Sequence, residues 1–146
     1  MARTKRMAVR EIMHEGAQCV TEGQTLFDAA RMMRDLDVGC VPICGDDNRL
    51  KGMITDRDIV LRCCAEGRDP AQVRAGEFAG SLWWIDADAD VSKALDAMEE
   101  HKVKRLPVID VADGHRLVGM ISEANLARNL SDHELGEFVG QVYAPA

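Results

Sequence analysis

The chain has 146 residues, 47% of them hydrophobic and 29% charged, with a formal net charge of −7. That length can bury one core or two small intertwined ones, and the acidic balance argues against nucleic-acid backbones and anionic membranes as bulk partners. No apolar run approaches the roughly 18 residues of a membrane span. The basic start at Arg3, Lys5, Arg6 and Arg10 is not followed by the apolar stretch of a secretory leader, so the expected location is cytoplasmic.

Residues Val9 to Met13 form a lead-in segment, and Cys19 and Val20 lie on a candidate first strand. Leu26, Ala29, Ala30, Met33 and Leu36 recur at helical spacing behind Thr25, with Asp28 placed for a capping box. The run Val38 to Cys44 reads as a buried strand, in which Pro42 implies a position with no ladder partner for its missing N–H. The turn Gly45-Asp46-Asp47-Asn48 leads into a second strand, Leu50 to Thr55, expected to form a hairpin with the first. Ile59, Val60 and Cys63 then suggest a closing helix, and residues 67–80 a connection whose Arg74 to Phe78 stretch parallels Val9 to Met13.

The whole pattern then returns. Val38-Gly39-Cys40-Val41-Pro42-Ile43 reappears as Val103-Lys104-Arg105-Leu106-Pro107-Val108, and Leu50-Lys51-Gly52-Met53-Ile54-Thr55-Asp56 as Leu117-Val118-Gly119-Met120-Ile121-Ser122-Glu123. The first pair is offset by 65 residues and the second by 67, so a turn in the second copy is two residues longer. Trp83 and Trp84 fall on the expected first strand of this copy, and Asp90 caps a helix through Val91, Ala94, Leu95 and Met98. Strands Val103 to Ile109 and Leu117 to Ser122 flank the turn Asp113-Gly114-His115, and Leu126 and Leu130 mark the second closing helix. Ser131-Asp132-His133-Glu134 starts a last short helix outside the repeat. The expected domains are 8–66 and 81–130, with 67–80 as linker and lead-in of the second copy and 131–146 as an extension. Each copy alone, at about 60 residues, would be marginally stable, which favours pairing of the two.

Chemistry-bearing residues are few. The sequence has no Gly-x-Ser-x-Gly elbow and no phosphate loop of the Gly-x-x-x-x-Gly-Lys type, so no enzyme is expected. Five cysteines contain no C-x-x-C pair, and His14, His101, His115 and His133 are scattered, so no metal site is expected. Asp86, Asp88 and Asp90 alternate like a calcium loop but lack its glycine and closing glutamate. Cys19 and Cys44 fall on strands that can be neighbours, so they are either a disulfide or two buried thiols. Thr55 and Asp58, at a strand-to-helix junction, either cap the helix or turn their oxygens to a ligand. Lys104 and Arg105 are either a solvated strand end or an anion-binding pair.

A strand with an internal proline, then a turn, then Gly-hydrophobic-hydrophobic-Thr/Ser-x-x-Asp, given twice, resembles a tandem pair of CBS domains, or Bateman module, of the stand-alone hypoxic-response and stress type. The resemblance implies an α/β fold of two β-α-β-β-α repeats, packed through their sheets with pseudo-twofold symmetry. It implies a homodimer acting as a regulatory module for AMP, ATP or a related adenosyl ligand, with an effector protein as a further partner. By that likeness one composite cleft is complete: Met53 and Ile54 as apolar wall, Thr55 and Asp58 on the ribose, Lys104 and Arg105 on phosphate, with Arg57 assisting. The mirror-image cleft has Ser122 for the threonine, Asn125 for the ribose aspartate, and Gly39 and Cys40 where the cations belong, so it is expected to be weak or empty. The alternative is a ligand-free structural or redox-responsive dimer with a Cys19–Cys44 bridge.

Overall fold

The computed structural model describes residues 7–16, 18–80 and 82–142; Arg3, Lys5 and Arg6 lie outside them. In chain order the elements are α1 (Val9–Ile12), β1 (His14–Glu15), β2 (Val20–Thr21), α2 (Leu26–Leu36), β3 (Cys40–Cys44), β4 (Leu50–Thr55) and α3 (Asp56–Ile59), which continues as a π-helical stretch, Val60–Cys64. Short 3-10 turns follow at Pro70–Gln72 and Ala75–Phe78. Then come β5 (Ile85–Asp86), α4 (Val91–His101), β6 (Arg105–Asp110), β7 (Arg116–Ser122), α5 (Glu123–Ala127) and α6 (Asp132–Val142). They divide into an early unit, Ala17–Leu82, and a late unit that joins the residues up to Gly16 with those from Trp83 onward.

In the early unit β2, β3 and β4 form a sheet in that order, β2 parallel and β4 antiparallel to β3. The parallel ladder begins at Val20 opposite Ile43, one residue past Pro42, so the proline's missing N–H faces no partner from β2. Helix α2 starts behind a reciprocal cap: Asp28 N–H donates to Thr25 Oγ1 at 3.1 Å, and Thr25 N–H to Asp28 Oδ2 at 3.0 Å. Its apolar stripe of Leu26, Ala29 and Met33 is buried against Val20, Val41, Ile43 and Ile54. The strand expected from Val38 begins at Cys40, because the helix ends in a left-handed residue, Asp37 (φ 55°), and leaves Val38 exposed. Cys19 and Cys44 form a disulfide, with Cα atoms 5.8 Å apart.

The late unit repeats this plan, with β5 parallel to β6 from Ile85 opposite Val108, again one residue past the proline, Pro107. Helix α4 is capped by Asp90, whose Oδ2 accepts from Ser92 N–H at 3.0 Å and whose Oδ1 accepts from Met7 N–H at 3.1 Å. A core of Val91, Ala94, Leu95 and Met98 packs on Leu106, Val108 and Ile121. β1 adds an antiparallel edge strand to β7, His14 opposite Met120, and α6 packs on α4. Trp83 and Trp84 stand before β5 rather than on it; Trp83 stacks on His101 with ring centroids 3.6 Å apart.

The lead-in segments dock on the copies they do not precede. Ala75 and Gly76 donate to Gln24 and Glu22 carbonyls in the early unit, at 2.8 and 3.0 Å, while Val9 and Arg10 donate to Ala89 and Ala87 in the late unit, at 2.8 and 2.9 Å. Arg74 to Phe78, read from order in the chain as the opening of the second copy, therefore closes the first. A segment is held by the sheet end within its reach, not by its place in the sequence pattern. Each segment then runs over a glycine of the repeated motif: Gly80 N–H reaches Lys51 carbonyl at 3.1 Å, and Gly16 N–H reaches Val118 carbonyl at 3.0 Å. A Cβ on Gly52 would lie 2.9 Å from Ala79 Cα, and one on Gly119 would lie 2.5 Å from His14 carbonyl oxygen, which is why the motif has glycine there.

The two units lock the same end of the sheet differently. Where the early unit has its disulfide, the late unit has Arg10, which donates to Asp88 Oδ1 at 2.9 Å and to the nearly buried Asp110 Oδ2 at 3.1 Å. These hydrogen bonds, to Asp88 first and Asp110 next, hold the guanidinium pKa above its ordinary value.

Candidate functional site

Where β4 ends and α3 begins, the backbone changes direction and Thr55 becomes the N-cap, with extended φ and ψ of −113° and 162°. Asp58 N–H donates to Thr55 Oγ1 at 3.0 Å, and Thr55 N–H donates to Asp58 Oδ2 at 3.0 Å. Capping thus occupies the hydroxyl and one carboxylate oxygen. The other, Oδ1, lies 3.7 Å from Arg62 Nη1, an ion pair too long to be a hydrogen bond. The Asp58 side chain is 28% exposed, and the Arg62 guanidinium lies over the Phe78 ring, 4.3 Å from its centroid.

Other expected members of this cleft divide by strand alternation. Met53 is half-buried, whereas Ile54 is fully buried in the early unit's core, so its side chain serves packing rather than a cleft wall. Arg57 is exposed on the first turn of α3. Gly39 carbonyl accepts from Asp56 N–H at 2.9 Å, and Cys40 pairs with Thr55 across β3 and β4. A Cβ on Gly39 would sit 3.1 Å from Asp56 Oδ2.

The late unit builds the same junction from different side chains. Ser122 N–H donates to Asn125 Oδ1 at 2.8 Å, and Asn125 N–H to Ser122 Oγ at 3.4 Å. Lys104 carbonyl accepts from Glu123 N–H at 2.9 Å, and Arg105 pairs with Ser122 across β6 and β7. Both Lys104 and Arg105 are exposed. Within each unit, then, the early junction offers a carboxylate beside Gly39 and Cys40, and the late junction offers an amide beside two cations. Thr55 and Asp58 belong to one unit and Lys104 and Arg105 to the other. Arg62 and Phe78 escaped sequence reasoning. The four-residue step from Asp58 to Arg62 was visible, but nothing in the sequence placed Phe78 beneath the guanidinium.

The CBS domain family pattern matches the sequence twice, at residues 9–63 and 80–132. The chain belongs to the CBS-domain family. Hypoxic response protein 1 of Mycobacterium tuberculosis is 49% identical over 137 residues, which cover 93% of this CBS protein and 94% of that one. A crystal structure of Hypoxic Response Protein I with two coordinated zinc ions has 50% identity and a TM-score of 0.78, over 86% of this chain and 100% of the other. A CBS domain protein of Pyrobaculum aerophilum complexed with AMP shares the fold at a TM-score of 0.75 and 21% identity, over 91% of this chain and 98% of its own. Among the described residues no three His, Cys, Asp or Glu side chains converge to hold a metal ion. No described helix is long and apolar enough to cross a membrane.

Proposed function

We propose that this CBS pair is a non-catalytic regulatory module that takes one adenine nucleotide per chain and signals as a homodimer to an effector protein. Asp58 carries the reading. Its carboxylate is half-buried, with one oxygen committed to the cap and the other making no hydrogen bond among the described residues, so an acceptor for ribose hydroxyls remains after folding. By the family likeness, Thr55 and Met53 take the sugar side with it and the phosphate falls to Lys104 and Arg105, the latter through two donors at once. By the same likeness the counterpart positions hold Asn125, Gly39 and Cys40, where neither the aspartate nor the cations stand. The AMP held by the P. aerophilum protein supports the ligand class, since the same fold accepts it there.

Titration calorimetry with AMP and ATP tests this. The expected stoichiometry is one per chain, with binding weakened at least about tenfold in Asp58→Asn, the cost of losing a hydrogen bond to a charged acceptor. Two equivalent sites per chain, or unchanged binding in the variant, overturns the assignment. The disulfide between Cys19 and Cys44 favours a second reading, in which the early unit responds to thiol redox state. A ligand-free protein whose dimerisation changes with dithiothreitol, and which no nucleotide stabilises, would support it.

A further inference from the structure

The Arg62 guanidinium is caught between two groups of its own unit. One face lies 4.3 Å from the Phe78 ring centroid, and one nitrogen lies 3.7 Å from Asp58 Oδ1. An exposed ion pair four residues apart is worth little as a contribution to stability. Placement over an aromatic face, however, removes rotamers from a long side chain and fixes where its charge sits. In the late unit the same four-residue step runs from Asn125 on α5 to Asn129 in the turn that follows it, whose side-chain amide donates to Asn125 backbone carbonyl at 2.8 Å instead. Aspartate and arginine occur together in one copy, and amides replace both in the other.

We propose that Arg62 is a positioning residue that holds Asp58 Oδ1 turned outward from the cap, and so sets a preference for ribonucleotides over 2′-deoxyribonucleotides. This rests on the nucleotide-binding reading above. The capping hydrogen bond anchors Oδ2, and the pinned guanidinium fixes the rotation of the carboxylate about that anchor. A ribose presents two adjacent hydroxyls to the one oxygen that remains. Without Arg62 the carboxylate swings, and the geometric demand for both hydroxyls is relaxed. Phe78 also packs on the early unit's core, but its route to the ligand runs through Arg62, so the two substitutions should shift the ribose preference in the same direction.

The experiment is calorimetric titration of AMP and 2′-deoxy-AMP into the full chain, its Arg62→Gln, Arg62→Lys and Phe78→Leu variants, with folding followed by circular dichroism. The wild-type chain should prefer AMP by about tenfold, as the loss of one good hydrogen bond implies. In Arg62→Gln that ratio should fall to about twofold, with Arg62→Lys and Phe78→Leu between. A purely structural role would weaken both ligands alike and leave the ratio unmoved. If the wild-type chain discriminates and Arg62→Gln keeps the full ratio, or binds AMP more tightly, the positioning role falls while the nucleotide site stands. If the wild-type chain binds neither ligand, the nucleotide site falls and this role with it. Arg62 is 60% exposed, so its variants carry the test even if Phe78→Leu fails to fold.

Discussion

Thr55 and Asp58 hold each other's backbone N–H, so substitutions at the two positions separate folding from binding. Thr55→Ala removes the acceptor for Asp58 N–H and should lower unfolding free energy by about 1 kcal/mol in urea melts. Asp58→Asn leaves an amide oxygen for Thr55 N–H, as Asn125 does for Ser122, so its stability should stay close to wild type while nucleotide affinity drops. The adjacent cysteines differ as sharply. Burial pushes the Cys63 thiol up and its Sγ faces Arg68 carbonyl at 3.5 Å, whereas Cys64 is exposed. Because the thiolate is the reactive form, iodoacetamide at neutral pH should modify Cys64 in the folded chain and spare Cys63 until denaturant is added, as read by peptide mass. Thr55 and Asp58 were legible as a cap because the pattern is local, a three-residue step, whereas Ser122 and Asn125 came in only by family likeness and their cap is seen in the structure. The Arg62–Phe78 contact was not, since it depends on where a distant segment docks.

At the level of elements, the glycine of each repeated hairpin is where another stretch of backbone passes. Gly52→Ala and Gly119→Ala should each destabilise the chain by about 1–3 kcal/mol, because the added methyl meets backbone that must move. Thermal melts of the two variants check this. For Gly119→Ala, added protection loss at β1 amides in hydrogen exchange should accompany it, since His14 lies over that site. Helix starts at Thr25 and Asp90 and the two hairpins were readable, because caps, turns and alternation are written within a few residues. The pairing of β1 with β7 and the exchange of lead-in segments were not, because partners such as His14 and Met120 stand far apart in the chain and leave no periodic trace. The glycines were recognisable as a motif, but the reason for them appears only when Ala79 and His14 are seen beside them.

For the molecule as a whole, the repeat is symmetric in plan and asymmetric in chemistry. The early unit carries the carboxylate junction and a covalent lock, the late unit the cationic junction and an ionic one. The disulfide joins residues 25 apart in sequence across α2, so its reduction should lower unfolding free energy by about 3.5 kcal/mol, on the chain-entropy estimate. A Cys19→Ser, Cys44→Ser chain should start at that lower value and ignore dithiothreitol, which guanidinium titrations in both redox states would measure. The exchanged lead-in segments bear also on how the protein is made. Everything the early unit needs leaves the ribosome by Leu82, so that half can close while synthesis continues. Val9 and His14 are translated ahead of the early unit, yet their seats at Ala89 and on β7 are translated after it. Residues 9–16 must therefore wait, unsatisfied, until the whole early unit has been translated after them, and the late half should be the slower to mature.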